Sequence, residues 1–145
     1  MSPILPAART GRTPTVTRAD VARRPEPLMD CSVGFSDRHC ARWPKGKPPL
    51  AGPEVSVALR ELPGWTATER ATRLTRRYRF ADFRAAMRFV VALADLANAE
   101  DHHPDFTVRW NEVEVTSWSH DAGGLTDNDF ILAARLDALP EARAS

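Results

Sequence analysis

From residue 53 onward, apolar and polar positions recur at spacings that predict seven elements. Gly52-Pro53-Glu54 opens a short helix, since proline at an early position leaves no helical bond unmade and an acid there meets the positive end of the dipole. Val55, Leu59 and Leu62 form its apolar stripe, and Pro63-Gly64 ends it. Two short extended segments follow between Trp65 and Phe80. In the second, Leu74, Arg76, Tyr78 and Phe80 share one face, and Thr75, Arg77 and Arg79 share the other. Asp82 is placed to cap a helix from Phe83 to about Asn98, with Phe80 as its staple. Ala86, Phe89, Val90, Leu93, Ala94 and Ala97 make a stripe wide enough to lie on a sheet.

Pro104 stops that element. Phe106, Val108 and Trp110 then alternate with Thr107 and Arg109. After a tight turn at Asn111-Glu112, Val113, Val115 and Ser117 alternate with Glu114, Thr116 and Trp118. Strands joined so closely predict an antiparallel hairpin. Gly123-Gly124 reads as a loop. Thr126 to Asp129 reads as a capping box, opening a last helix that packs Phe130, Ala133, Ala134 and Leu136 and ends before Pro140. The order α-β-β-α-β-β-α predicts an α+β sandwich, with helices packed on one face of a four-stranded antiparallel sheet.

Composition adds a boundary. Of 145 residues, nine of the twelve prolines lie at or before Pro53. Residues 1–53 carry nine Lys/Arg against four Asp/Glu, while residues 54–145 carry eleven against fifteen. Residues 1–52 have few large apolar side chains and no period, so they are expected to form a disordered Pro/Arg-rich extension. The domain is expected at 53–140, with 141–145 as a tail. The Arg-rich start (Arg9, Arg12, Arg18, Arg23, Arg24) also fits a transit peptide, as the lesser alternative. The acidic folded part argues against a nucleic-acid surface, and no apolar run is long enough for a membrane span. Cys31 and Cys40 both precede the domain, so no disulfide framework holds it. A reducing compartment, the cytoplasm, is the expected location.

His102, His103 and His120 are the candidate chemistry. Imidazole gives and takes a proton near neutrality, and Glu100, Asp101, Asp105, Asp121 and Asp129 surround these positions in sequence. Three histidines with a carboxylate would suit zinc. However, adjacent His102 and His103 point in different directions, and no i, i+4 ligand pair supports the site. Ser119 beside His120 lacks the context of a nucleophile elbow. A CxxC reading from Cys40 fails because position 43 is Trp.

The spacing as a whole resembles the pterin-4a-carbinolamine dehydratases: His102-His103-Pro104, five residues, Trp110, nine residues, His120, then Gly124-Leu125-Thr126 and Asp129. The resemblance extends back through Phe89, Phe83 and Gly64-Trp65, covering roughly Pro53 to Leu139. The stretch from His39-Cys40 to Pro48 is similar to a cysteine-containing segment of some bacterial members, without their second cysteine.

What the resemblance implies is dehydration of 4a-hydroxytetrahydropterin to quinonoid dihydropterin, which recycles the cofactor of aromatic amino acid hydroxylases and needs no metal or redox cofactor. The catalytic set would be His102, His103 and His120. His102 and His120 would be the acid/base pair, with His103 mainly binding and orienting the pterin. Asp129, Trp110, Ser119 and Asp101 would bind substrate, Asp129 by orienting a histidine or the ring and Trp110 as part of the pocket or its wall. Two departures stand out: Asn98 where the family usually has an acid, and Ser119 where it often has threonine. The resemblance also implies a homodimer or homotetramer and coupling to a hydroxylase. The alternative function is a non-catalytic dimerisation or assembly module on the same fold.

Overall fold

The computed structural model describes residues 34–144. Helix α1 spans Gly52–Leu59, with Glu54 Oε2 accepting the Ala51 N–H at 2.8 Å. Val55, Ala58 and Leu62 are buried beneath it, and Leu59 is half-buried. Strand β1 is Thr66–Thr68 and β2 is Arg73–Arg79. Between them Glu69, Arg70 and Ala71 all take left-handed backbone conformations, tied by an Arg73–Glu69 ion pair of 2.7 Å. Helix α2 runs from Phe83 to Glu100, its first turn capped by Asp82, whose Oδ1 accepts the Ala85 N–H at 2.8 Å. Strands β3 (Asp105–Arg109) and β4 (Glu112–Ser117) form the hairpin, and α3 spans Asp127–Ala138.

All pairings are antiparallel and the strand order is β1-β2-β4-β3. Registers such as Leu74↔Ser117, Arg76↔Val115 and Tyr78↔Val113 put the inward series of β2 and β4 on one face. There Leu74, Tyr78, Val113 and Val115 pack with Phe89 and Leu93 of α2 and Phe130, Leu132 and Leu136 of α3. Each large side chain so buried contributes roughly 1.5–3 kcal/mol. Asp137 accepts from Trp65 Nε1 at 3.0 Å and from the Tyr78 hydroxyl, and pairs with Arg76 at 3.0 Å. The opposite face is polar, a ladder of Thr75 and Thr116 followed by Arg77–Glu114 at 2.8 Å. The fold is the α+β arrangement expected from the pattern.

Four details differ from that expectation. The hairpin turn falls at Trp110-Asn111, one residue early. Buried Asn111 is locked to Phe80 by two hydrogen bonds, its Nδ2–H to the Phe80 carbonyl (2.8 Å) and its carbonyl to the Phe80 N–H (2.7 Å). Glu112 is thereby left to pair with Arg109 and Arg79, and Trp110 takes a φ of 46°. Helix α2 runs two residues past Asn98, and its stripe includes Glu100 while Ala94 is exposed. In α3, Ala134 is only half-buried, whereas Ile131 and Leu132 are buried. Finally, residues 34–51 lie against the domain, although the boundary had been expected at 53. Phe35 packs on Phe130 with ring centroids 5.6 Å apart, Arg38 pairs with Asp127, and the Leu50 N–H donates to the Leu125 carbonyl at 2.8 Å. This segment is held by polar partners and by two isolated apolar side chains, Phe35 and Leu50, a kind of attachment that leaves no apolar period in sequence. The rest of the expected extension, residues 1–33, lies outside the described residues.

Candidate functional site

One end of the sheet gathers the chemistry. At the end of α2, Asp101 takes a left-handed conformation (φ 49°), which returns the His102 N–H to the Ala97 carbonyl at 3.1 Å and sets the His102 backbone. His103 and Pro104 lead into β3. At the far end of β4, the Ser119 N–H donates to the Gly124 carbonyl at 2.9 Å, closing the loop that carries His120. Beneath both, Asp129 projects from the first turn of α3.

Asp129 is fully buried and its carboxylate is saturated. Oδ1 lies 2.7 Å from His102 Nε2 and accepts from Ser117 Oγ at 2.6 Å. Oδ2 accepts from the Thr126 N–H and from Ser119 Oγ, both at 2.9 Å. One side chain therefore completes the capping box and holds a histidine. With His102 Nε2–H donating to the carboxylate, Nδ1 is the lone-pair nitrogen. The Ser117 hydroxyl donates to Asp129 and lies 3.4 Å from His102 Nε2, the nitrogen that faces the carboxylate, and the Ser119 hydroxyl is engaged with Asp129 and Thr126, so neither meets a histidine lone pair that would activate it as a nucleophile.

His103 Nε2 lies 3.0 Å from Asn98 Oδ1, an amide oxygen that orients the ring without adding charge. His120 is exposed and stacks on Trp118, ring centroids 3.7 Å apart. Trp118 is fixed in turn by Asp105, which accepts its Nε1–H at 3.3 Å, and by the Arg73 guanidinium 4.4 Å from its ring centre. The three histidines, with Asp101, Trp118 and Ser119, line a cleft of about 1190 Å³ whose other wall is residues 40–48. Among the described residues, no three His, Cys, Asp or Glu side chains converge to hold a metal ion, and no helix is long and apolar enough to cross a membrane.

The wall at 40–48 is anchored by Glu100. Its carboxylate accepts the Cys40 N–H (2.9 Å), pairs with Arg135 (2.7 Å) and lies 3.0 Å from His39 Nδ1. Burial pushes the Glu100 carboxyl up, but the Cys40 N–H, His39 and Arg135 outweigh it and hold it below the usual carboxylate range. Burial, then Glu100 and Asp129, push the Cys40 thiol up to about 12, so it stays protonated and is no nucleophile.

This arrangement sits on a chain whose residues 48–139 match the sequence model described as pterin 4 alpha carbinolamine dehydratase. The chain belongs to that family. A protein of Rubrobacter xylanophilus, provisionally named a pterin-4-alpha-carbinolamine dehydratase, is 38% identical over 105 residues, which are 72% of this chain and 97% of the relative. A Chromobacterium violaceum protein with the same provisional name is 49% identical over 94 residues, 65% of this chain and 85% of the relative. The crystal structure of a transcriptional coactivator/pterin dehydratase from Brucella melitensis superposes with a TM-score of 0.60 at 34% identity. It covers 62% of this chain and 96% of its own.

Of the residues that the family resemblance singled out, the structure brings His102, His103, His120, Ser119 and Asp101 to one cleft, with Asp129 bonded to His102 beneath it. Trp110 is not there. It is 67% exposed at the hairpin turn, a strand length away, and Trp118 is the tryptophan of the cleft. Sequence reading also missed Ser117 and the anchoring role of Glu100. Ser117 had a visible signal: it is the polar member of an otherwise apolar inward series, Val113, Val115, Ser117. Glu100 had none, because its partners lie some 60 residues before it and 35 after it.

Proposed function

We propose that the protein dehydrates pterin-4a-carbinolamine to quinonoid dihydropterin by histidine general acid/base catalysis, serving to recycle the cofactor of aromatic amino acid hydroxylases. The observation that carries this is the His102–Asp129 pair opening on a cleft shared with His103 and His120. In the reaction the C–O bond at position 4a breaks and the hydroxyl leaves as water with one added proton. The neighbouring ring nitrogen loses its proton, and a C=N bond forms. One imidazole supplies the first proton and another accepts the second, His102 and His120 filling these roles. His103, held by Asn98, binds and orients the ring.

The test is the rate of quinonoid dihydropterin formation from enzymatically generated carbinolamine. His102→Ala and His120→Ala should each lower it by about 10²–10⁴. A parent protein no faster than buffer would overturn the enzyme reading in favour of a non-catalytic dimerisation or assembly module. Self-association belongs to the same proposal. Phe83, Met87 and Val91 are exposed in a row along α2, and Phe106 is exposed on the edge strand β3. Light scattering at micromolar concentration should give a multiple of 16.1 kDa; the monomer mass would refute it.

A further inference from the structure

The catalytic reading uses only one wall of the cleft. The other, residues 40–48, carries Arg42, Lys45 and Lys47 and no acid. Most of it precedes the stretch that the family model matches. It is a built feature, not a trailing strand. The Cys40 N–H is held by Glu100, and the Ala41 N–H and carbonyl are held by the Asn128 side chain at 3.0 and 2.7 Å. Beyond these anchors the chain closes a turn, the Lys47 N–H donating to the Pro44 carbonyl at 3.0 Å with Gly46 at φ 80°. Trp43 Nε1–H donates to the Lys47 carbonyl at 3.1 Å. The Lys47 ammonium lies over the Trp43 ring, 4.0 Å from its centre.

Apart from the stacking of Lys47 on Trp43, the charges on this wall are not neutralised internally. Among the described residues Arg42 and Lys45 have no carboxylate partner, while nearby acids are spent elsewhere, Glu100 on Arg135 and Asp127 on Arg38. The other acids of the cleft, Asp101 and Asp121, are covalent neighbours of His102 and His120, so negative charge sits at the histidine end and positive charge at the strap. The cleft is also roomy for its proposed substrate. At about 1190 Å³ it exceeds the roughly 300–1,000 Å³ of a typical ligand pocket. A bicyclic pterin at the histidines therefore leaves room in the cleft that residues 40–48 wall.

We infer that the segment 40–48 is a specificity wall for pterins whose side chain ends in an anionic group, a phosphate or a carboxylate, met by Arg42, Lys45 and Lys47 while the ring lies against the histidines. The inference rests on the pterin reading above and extends it from the ring to its substituent. Three exposed cations, each worth a few-fold at low salt, set the expected preference at about ten-fold.

The full chain would be titrated, by quenching of tryptophan fluorescence, with three probes: 7,8-dihydrobiopterin (neutral side chain), 7,8-dihydroneopterin monophosphate and 7,8-dihydrofolate. At low salt one or both anionic probes should bind about ten-fold more tightly than the neutral one. A preference for phosphate alone, or for carboxylate alone, identifies the source of the anion. The ratio should fall towards one in 0.5 M salt and in the triple variant Arg42→Gln/Lys45→Gln/Lys47→Gln, whose positions are exposed and outside the core. Equal affinity for all three probes, or a ratio unmoved by salt and by the triple variant, would overturn the inference while leaving the pterin reading intact. Failure of every probe to bind, together with absence of carbinolamine turnover, would overturn both.

Discussion

Asp129→Asn changes one atom's chemistry at constant shape, in a side chain with four hydrogen-bond partners. As a carboxylate, Asp129 accepts from Ser117 Oγ, Ser119 Oγ and the Thr126 N–H, and faces His102 Nε2 at 2.7 Å. An amide can keep its oxygen towards Thr126 and Ser119, which preserves the cap. Its NH₂ then faces His102 Nε2 and Ser117. The imidazole must present a lone pair there, so its proton moves to Nδ1, and the imidazolium form meets a donor where it had a counterion. Loss of one charge-assisted hydrogen bond is about 1.5–3 kcal/mol, which at 1.36 kcal/mol per decade is roughly a 10- to 150-fold fall in kcat. The folded state should lose about 1–3 kcal/mol in the same substitution. Stopped-flow dehydration kinetics and thermal unfolding would be run beside Ser117→Ala, which removes one donor and leaves the His102–Asp129 contact. Ser117→Ala should stay within about five-fold of the parent in kcat, because Asp129 keeps its charge and its contact with His102. Parent-like kcat in folded Asp129→Asn would refute the role of the pair. Equal damage from Ser117→Ala would show that packing, not the histidine contact, carries the effect.

Three further outcomes follow from the same geometry. Glu100→Gln should cost about 2–3 kcal/mol, below the range for a fully buried pair because the Arg135 side chain is 25% exposed. It should also speed proteolysis near residues 38–43. Because the folded Glu100 carboxyl lies below its ordinary value, its stabilisation is complete above the ordinary carboxylate range and is lost as pH falls through the lowered value. Melting temperatures between pH 7 and pH 3 should therefore fall less steeply in Glu100→Gln than in the parent, and parallel curves would contradict this. Gly124→Ala would place a Cβ 2.9 Å from Pro49 Cβ and 3.1 Å from its Cγ. It should destabilise by about 1–3 kcal/mol, and an unchanged denaturation midpoint would show that the chain at Pro49 yields freely. Trp118→Ala removes the stack on His120, an aromatic contact of about 0.5–1.5 kcal/mol. It should lower kcat two- to twelve-fold, whereas a change confined to KM would make Trp118 a binding surface instead.

What was legible in the sequence was whatever is written within a few residues. The period of Ala86, Phe89, Leu93 and Ala97 specifies a helix face because side chains three and four apart share it. The Asp82 and Thr126–Asp129 caps are contacts across three residues. The spacing from His102 to Asp129 carried the family. The place of Trp110 came from the structure, which sets it at the hairpin turn. A residue at that turn lies about 17 Å, five residues at 3.4 Å each, from the open end where His102 and His120 stand, a separation that the spacing of the motif does not display.

Only the tertiary structure decided which groups meet. The Asp129–His102 bond spans 27 residues and the Cys40–Glu100 bond spans 60. Partners so separated leave no periodic trace, because each depends on how whole elements dock. Ser117, the last residue of β4, and Trp118 just beyond it show the division. Alternation assigns them to opposite faces, but only the docking of α3 puts a carboxylate beside Ser117, and only the loop from Ser119 to Gly124 lays His120 on Trp118. Residues 40–48, without period or apolar stripe, became a wall of the cleft through polar contacts to Glu100 and Asn128, made across distances that local sequence does not encode.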